Sequence, residues 1–281
     1  MKIAITGANG QLGRLTVAKL KEKTNAENLV ALVRTPEKAN DLGIETREFD
    51  YSKPENLAQT LQGIDTLFLI SGSEVGQRES QHKNVINAAK EAGVKSIVYT
   101  SLLNADKSPM ALATEHVSTE NALKESGLET TILRNGWYTE NYAGTIPGAL
   151  QAGAIIGSVG EGKVSSATRE DFAEAAAVVL TTPGHENKIY ELAGDEAYTL
   201  TDFAAEVSKQ VGKNIPYNNL TEDEYKSTLV QFGVPEGFAF VLADSDAKAA
   251  EGALYSSDQT LSKLIGRPTT PLSEVVKNFI G

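Results

Sequence analysis

Cysteine is absent from this chain of 281 residues, which excludes disulfides, iron–sulfur clusters, thiolate metal centres and a catalytic thiol. Histidine is almost as scarce. His82, His116 and His185 lie far apart and lack the spacing of metal ligands, so no metal is expected, an all-carboxylate site being the one kind that composition leaves open. Positive charge is in deficit: 26 Lys and Arg against 37 Asp and Glu give a formal net charge of -11, with no basic run. Nucleic acid and anionic membranes both require clustered cations to neutralise phosphate, so neither is an expected partner. Long apolar runs are missing as well. None approaches the ~20 residues of a membrane-spanning helix, and no membrane insertion is expected. The first apolar strand starts at Lys2, which leads to the expectation of a cytoplasmic chain without a targeting segment. Hydrophobic residues, at 41%, suffice for the core of one large α/β domain, alone or with an appended lobe.

Glycine, by contrast, is well placed. The chain opens on a short apolar strand that runs into Gly7-Ala-Asn-Gly10-Gln-Leu-Gly13 and then into a helix over about residues 11–22. In such a turn the first glycine permits a tight bend, the second lets backbone N–H groups approach a pyrophosphate, and the third lets helix and strand pack closely. The helix N-terminus directs its partial positive charge at the same anion. With 24 glycines in the chain, about 0.2 GxxGxxG matches would arise by accident, so the weight rests on placement between an apolar strand and an amphipathic helix. Gly7, Ala8, Asn9, Gly10, Gln11 and Leu12 are the expected phosphate-binding residues, a purely structural glycine turn being the alternative.

The apolar run Asn28-Leu-Val-Ala-Leu-Val-Arg34 predicts a second, buried parallel strand. The residue at its end selects the dinucleotide: a carboxylate accepts from a ribose 2′-hydroxyl, whereas an arginine accommodates a 2′-phosphate. Arg34 therefore favours NADPH, unless it is only a solvated side chain opening the Thr35-Pro36 turn. Further strands are expected at 45–50, 65–70, 93–101 and 130–134, alternating with helices at 36–42, 54–61, 77–92 and 112–126. That alternation predicts right-handed crossovers and a Rossmann-type, doubly wound parallel α/β sheet with helices on both faces. Asp50-Tyr51 would sit beside an adenine. Ser71, Gly72 and Ser73 follow the fourth strand, where small residues let a cofactor approach the backbone or simply form a loop. His82, among polar neighbours, is expected on a solvated helix face.

Catalytic groups in open α/β sheets gather at the C-terminal ends of strands, where Ser101 stands. The helix at 112–126 occupies the position of the Tyr-x-x-x-Lys pair of a short-chain dehydrogenase, but here reads His116-Val-Ser-Thr-Glu120. The i,i+4 spacing puts both side chains on one face. Glu120 could accept from a ribose hydroxyl or orient the imidazole, and His116 could contact a substrate oxygen or donate a proton to it; a surface helical pair is the other possibility. After the sixth strand comes a loop containing Asn135, Gly136, Trp137 and Tyr138. Trp137 is the only tryptophan. An aromatic wall beside amide donors suits a planar, oxygenated ligand above a nicotinamide, with core packing of the two aromatics as the alternative.

Ile5-Thr-Gly-Ala-Asn-Gly-Gln-Leu-Gly13, Val33-Arg34, Ile70-Ser-Gly-Ser-Glu-Val-Gly76, Tyr99-Thr-Ser-Leu-Leu103 and the stretch Leu133-Arg-Asn-Gly-Trp-Tyr-Thr-Glu-Asn-Tyr142 together resemble the NmrA-like atypical short-chain dehydrogenases, and within them the flavin-free quinone-reducing branch. The resemblance runs the whole length, through Tyr190-Glu-Leu-Ala-Gly194 and Leu261-Ser-Lys-Leu-Ile-Gly266. It implies a monomeric or homodimeric Rossmann enzyme that binds NADPH through the glycine turn, Arg34 and the Asn135, Gly136, Trp137 and Tyr138 loop. The family's Gly-Ala-Thr-Gly has Asn9 in place of threonine here, a change that preserves the turn.

The missing Tyr-x-x-x-Lys has its own chemical meaning. A simple ketone becomes an alkoxide on reduction and needs a strong proton donor. A small quinone becomes a delocalised phenolate and needs far less, so near-attack geometry and hydrogen bonds at the developing oxyanion suffice. Hydride transfer to a quinone is the expected reaction, with His116, Glu120 and Tyr138 as the candidate catalytic residues. A non-catalytic NADP(H) sensor and a dye or imine reductase of the same fold are the alternatives. The expected division is a NADP-binding domain at 1–143 and a smaller substrate lobe at 144–281, some of whose segments return to the main sheet. In the lobe, strands are expected at 153–157 and 188–192, acidic N-terminal caps begin at Thr168, Thr199 and Thr221, and helices follow at 235–253 and 271–280. Phe238, Phe240 and Leu242 are the candidate pocket walls.

Overall fold

A computed structural model describes residues 1–280. In chain order, the first elements are β1 (Ile3–Thr6), α1 (Gln11–Lys21), β2 (Leu29–Val33), β3 (Glu45–Glu48), α2 (Leu57–Thr60), β4 (Thr66–Leu69), α3 (Arg78–Ala92), β5 (Ser96–Leu102), α4 (Ala113–Ser126) and β6 (Glu129–Asn135). They are followed by α5 (Thr139–Ala143), α6 (Ile146–Ala152), β7 (Ile155–Gly157), α7 (Arg169–Thr181), β8 (Ile189–Leu192), α8 (Leu200–Val211) and β9 (Tyr217–Asn219). The last helices are α9 (Glu222–Gln231), α10 (Glu236–Ala250), α11 (Thr260–Ile265) and α12 (Leu272–Ile280). None of them, among the described residues, is long and apolar enough to cross a membrane.

The chain forms two compact units. The first comprises Met1–Ala105, Thr114–Asn135 and Arg169–Glu191; the second comprises Asp106–Ala113, Gly136–Thr168 and the described residues from Leu192 on. The backbone thus passes between the units several times, residues 169–191 belonging to the first unit. The first unit holds a seven-stranded sheet of order β3-β2-β1-β4-β5-β6-β8, with parallel pairing from β3 through to β6. Every residue of β1, β2 and β4 is buried, which is why these strands read as continuous apolar runs: both of their faces are covered. Edge strand β3 instead alternates charges, with Lys2 and Arg47 each 2.7 Å from Glu45. Ala4, Val30, Leu32, Leu67, Leu69, Ile97 and Tyr99 form one core with residues of α2, α3 and α4. Alternate strand positions point to the opposite face, where α1 packs on α7 and its buried Ala173, Ala176 and Ala177.

From β3 at the edge the chain jumps back past β1 to β4, so the strand order reverses at the β1–β4 boundary. Loops there diverge and leave a crevice beyond the strand ends.

The second unit is mostly helical around a two-stranded parallel ladder of β7 and β9. Thr199 and Thr221 form capping boxes with Asp202 and Glu224, as their spacing predicts. Buried Asp246 of α10 accepts from the Tyr142 hydroxyl at 3.0 Å and from the Ser158 backbone N–H at 3.0 Å. Phe238 and Phe240 are 55% and 44% exposed, because α10 buries the opposite stripe of Ala239, Ala243, Ser245 and Asp246. Leu242 is half-buried. Two expected helices are tighter than drawn from sequence, since 36–42 and 54–56 are 3₁₀ turns opened by Pro36 and Pro54.

Candidate cofactor and active site

The glycine turn is built as its spacing requires. Gly7 adopts a left-handed conformation at φ 57°, and the Gly10 N–H closes the turn on the Gly7 carbonyl at 2.9 Å. A side chain on Gly13 would place its Cβ 2.2 Å from Gly7 O and 2.7 Å from Ala8 Cα, so only glycine lets α1 come this close to the turn. Helix α1 starts on Gly10 without a side-chain cap and without an acidic residue in its first turn, which leaves its N-terminal field available to an anion. Beside it opens a cavity of about 340 Å³ lined by Gly7, Asn9 and Gly10, by Arg34 and Lys38 after β2, and by Ser71, Gly72, Ser73 and Glu74 after β4. Ala8 and Leu12 turn into the core, and Gln11 is exposed. This cradle, with its glycine contacts and two cations, fits a dinucleotide phosphate.

Arg34 lies in the cavity 2.7 Å from Glu74, the two side chains being 66% and 47% exposed. Asp50, also in the lining, is turned onto its own loop, where Ser52 N and Oγ donate to Oδ1; these hydrogen bonds hold its carboxyl below the usual range.

As β4 leaves the sheet, its backbone groups lose their strand partners and side chains take over. The Ile70 N–H donates to Thr6 Oγ1, and the Ile70 carbonyl accepts from the Tyr51 hydroxyl at 3.0 Å. The Ser71 N–H donates to Thr100 Oγ1, the Gly72 N–H donates to His82 Nε2 at 2.9 Å, and the Gly72 carbonyl accepts from Arg78 Nε at 2.5 Å. The cofactor-facing loop is therefore held group by group. His82 is not on a solvated face: it is fully buried, and because Nε2 accepts, Nδ1 carries the proton and donates to Thr119 Oγ1 at 2.9 Å. Of its polar neighbours, Glu79, Ser80 and Lys83 are exposed, whereas Gln81 is buried beside it. Burial lowers its pKa to about 4.

The i,i+4 pair on α4 does not close on itself. His116 meets the Tyr99 hydroxyl through Nδ1 at 2.8 Å and Arg78 through Nε2 at 3.5 Å; burial and nearby Arg78 lower its pKa to about 3, so the ring is neutral at physiological pH. Glu120 looks the other way. Its two oxygens accept from Arg134 Nε at 2.9 Å and Nη2 at 2.7 Å, and Oε1 also accepts from Ser101 Oγ at 2.6 Å. Glu191 takes the Arg134 Nη1 at 2.8 Å. The ion pair to Glu120 raises the Arg134 pKa further above its already high value.

At the end of β6, Asn135 is buried and its Oδ1 has no hydrogen-bond partner. Gly136 donates to the Leu192 carbonyl at 2.7 Å, and a Cβ there would stand 3.0 Å from that oxygen. Trp137 is buried, and Tyr138 is half-buried before α5. Asn135, Gly136 and Trp137 are not among the residues lining the cavity. Sequence reasoning did not single out Lys38, Glu74, Gln81 or Arg78. Lys38 follows Arg34 within about one turn and Glu74 lies within the stretch Ile70 to Gly76 quoted for the resemblance, but Gln81 and Arg78 carry no motif.

Comparison with known proteins agrees with this geometry. Residues 7–183 match the family described as NAD(P)H-binding. Quinone oxidoreductase 2 of Escherichia coli K12 is 54% identical over 280 residues, covering 99% of this chain and 98% of that protein. The crystal structure of the Escherichia coli NADPH-dependent quinone oxidoreductase QOR2 complexed with NADPH superposes with a TM-score of 0.97, covering 99% of this chain and 100% of that one. The Citrobacter sp. triphenylmethane reductase complexed with NADP(H) is 39% identical, with a TM-score of 0.95 over 99% of this chain and 100% of that one. A glycine-turn cradle with Arg34 at its rim, joined to full-length likeness of this degree, identifies the chain as a member of the NmrA-like NAD(P)H-binding family.

Proposed function

We propose that this chain is an NADPH-dependent quinone oxidoreductase that carries out a flavin-free, two-electron transfer to a small quinone. The observation that carries the proposal is the closure of the groups where a short-chain dehydrogenase keeps its proton relay. Ser101 donates to Glu120, Glu120 is taken up by Arg134, and His116 is neutral with both ring nitrogens engaged. No strong acid is aimed at an acceptor from this helix, so the acceptor must stabilise its own developing charge, as a quinone does.

Bound nicotinamide supplies the hydride. The chain's own residues bind and orient: the glycine turn and α1 hold the diphosphate, and Arg34 with Lys38 receives the 2′-phosphate. The tethered 70–72 backbone forms one fixed side of the cofactor groove. In this proposal Asn135, Gly136 and Trp137 bind the nicotinamide end, the unpartnered Asn135 Oδ1 serving as an acceptor, and Tyr138 contacts the quinone. His116 and Glu120 act by positioning, His116 through Tyr99 and Arg78, Glu120 through Ser101 and Arg134. The enzyme would work in the cytoplasm as a monomer or homodimer; its net charge of -11 disfavours a nucleic-acid partner.

Purified protein mixed with NADPH and a series of benzoquinones should consume NADPH well above the spontaneous rate, as followed by nicotinamide absorbance. Tight NADPH binding with no turnover across the series would replace the enzyme with a nucleotide sensor. Turnover confined to dyes or imines would move it to a neighbouring activity.

A further inference from the structure

Two carboxylates, Asp50 and Glu74, line the cavity, and they are used differently. Asp50 is engaged by Ser52 within its own turn. Glu74 faces Arg34: its Oε1 accepts from Arg34 Nη1 at 2.7 Å, while Oε2 accepts from Gln81 Nε2 at 2.7 Å. The loop that carries Glu74 begins with the backbone groups of residues 70–72, each tied down as described above, and Gln81 belongs to α3. Glu74 is thus held beside Arg34 from two directions.

We propose that Glu74 is a second determinant of cofactor choice. It competes with the 2′-phosphate for Arg34 and offers the 2′-hydroxyl of NADH an acceptor, so the cavity prefers NADPH while still admitting NADH. The inference rests on the assignment of Arg34 to the 2′-phosphate. When NADPH arrives, Arg34 must leave Glu74 or be shared between two anions, and the clamped carboxylate cannot move far from the new phosphate. When NADH arrives, the Arg34–Glu74 pair can persist and the carboxylate can accept from the ribose, the role an acidic residue at the end of the second strand plays in NAD-selective sites. Here the acid reaches the cavity from the loop after β4.

Isothermal titration of NADPH and NADH into wild type and Glu74→Gln at low ionic strength tests this. Glutamine keeps the size and can still bond Gln81 but removes the charge. Because Glu74 is half exposed, the variant should bind NADPH about three- to tenfold more tightly, with NADH unchanged or weaker. Added salt should shrink the NADPH gain. Gln81→Leu, which frees Glu74 on one side, should move NADPH affinity in the same direction by less. If Glu74→Gln weakens NADPH, or changes both cofactors by the same factor, Glu74 only shapes the loop and the proposal falls. Failure of the underlying assignment reads differently: wild type would show no preference for NADPH, and Arg34→Ala would change both cofactors alike.

Discussion

Two buried histidines show how differently one residue type can be used from what its sequence context suggests. His82 sits in a polar stretch, yet it is fully buried with both ring nitrogens in use; His116 lies on the expected helix but turns to Tyr99 and Arg78 rather than to Glu120. The i,i+4 spacing brought His116 and Glu120 to one face and could not reveal that Arg134, on the strand that follows α4, would outcompete the imidazole for the carboxylate. Burial lowers the pKa of His82 to about 4 and of His116 to about 3, from an ordinary 6.5. The unfolded chain therefore takes up these protons first as pH falls. Their contribution to stability is complete above pH 6.5 and is lost as pH drops towards 4 and 3. Asp246 has the opposite sign: burial pushes its carboxyl up to about 6, so its contribution is complete below 3.8 and lost as pH rises through 6. Comparison with a variant separates the two. Urea unfolding of wild type and His116→Asn, measured from pH 7 to pH 4, should show wild type losing ground by about 1.4 kcal/mol per pH unit below 6.5. Parallel stability curves would mean that His116 is not held neutral.

At the scale of elements, legibility followed burial on two faces. β1, β2 and β4 were readable because parallel strands covered on both sides leave no polar alternation, and the glycine turn was readable because strand, turn and helix agree. Less regular pieces were not. α5, α6 and α11 span 5, 7 and 6 residues, too short for helical periodicity to register, and β9 has three residues with polar Asn218 and Asn219. The small residues of the loop after β4 are visible in the sequence, but the hydrogen bonds that hold its backbone come from Thr6, Tyr51, Thr100, His82 and Arg78, which converge only in three dimensions. The junction of turn and α1 makes the sharpest test at this scale. In Gly13→Ala the new Cβ would meet backbone at 2.2 Å, where nothing flexible can yield. The substitution should cost about 2–3 kcal/mol in chemical denaturation and lower NADPH affinity at least about tenfold. A variant with unchanged binding would show that close packing of α1 on the turn does not shape the phosphate site.

For the whole molecule, composition set boundaries that the fold then filled: the scarcity of cations and the lack of thiols left small-molecule chemistry on an α/β scaffold. The division into units was harder to draw, because α7 and β8 return to the first unit after the chain has built part of the second, and a sheet that recruits a late strand gives no compositional break. What the arrangement implies about reactivity is narrower than a family name. With Ser101 bonded to Glu120, Glu120 bonded to Arg134 and His116 neutral, the proposed reaction has the protein supply binding and orientation and the acceptor supply its own charge stabilisation. The direct measurement is kcat/KM with NADPH for benzoquinone against cyclohexanone, a ring of similar size that gives a localised alkoxide. Benzoquinone should be preferred by at least about a thousandfold, equivalent to roughly 4 kcal/mol of barrier. Comparable reduction of the ketone would contradict the proposal, because it would require a proton donor that Ser101, Glu120 and His116 as arranged here do not provide.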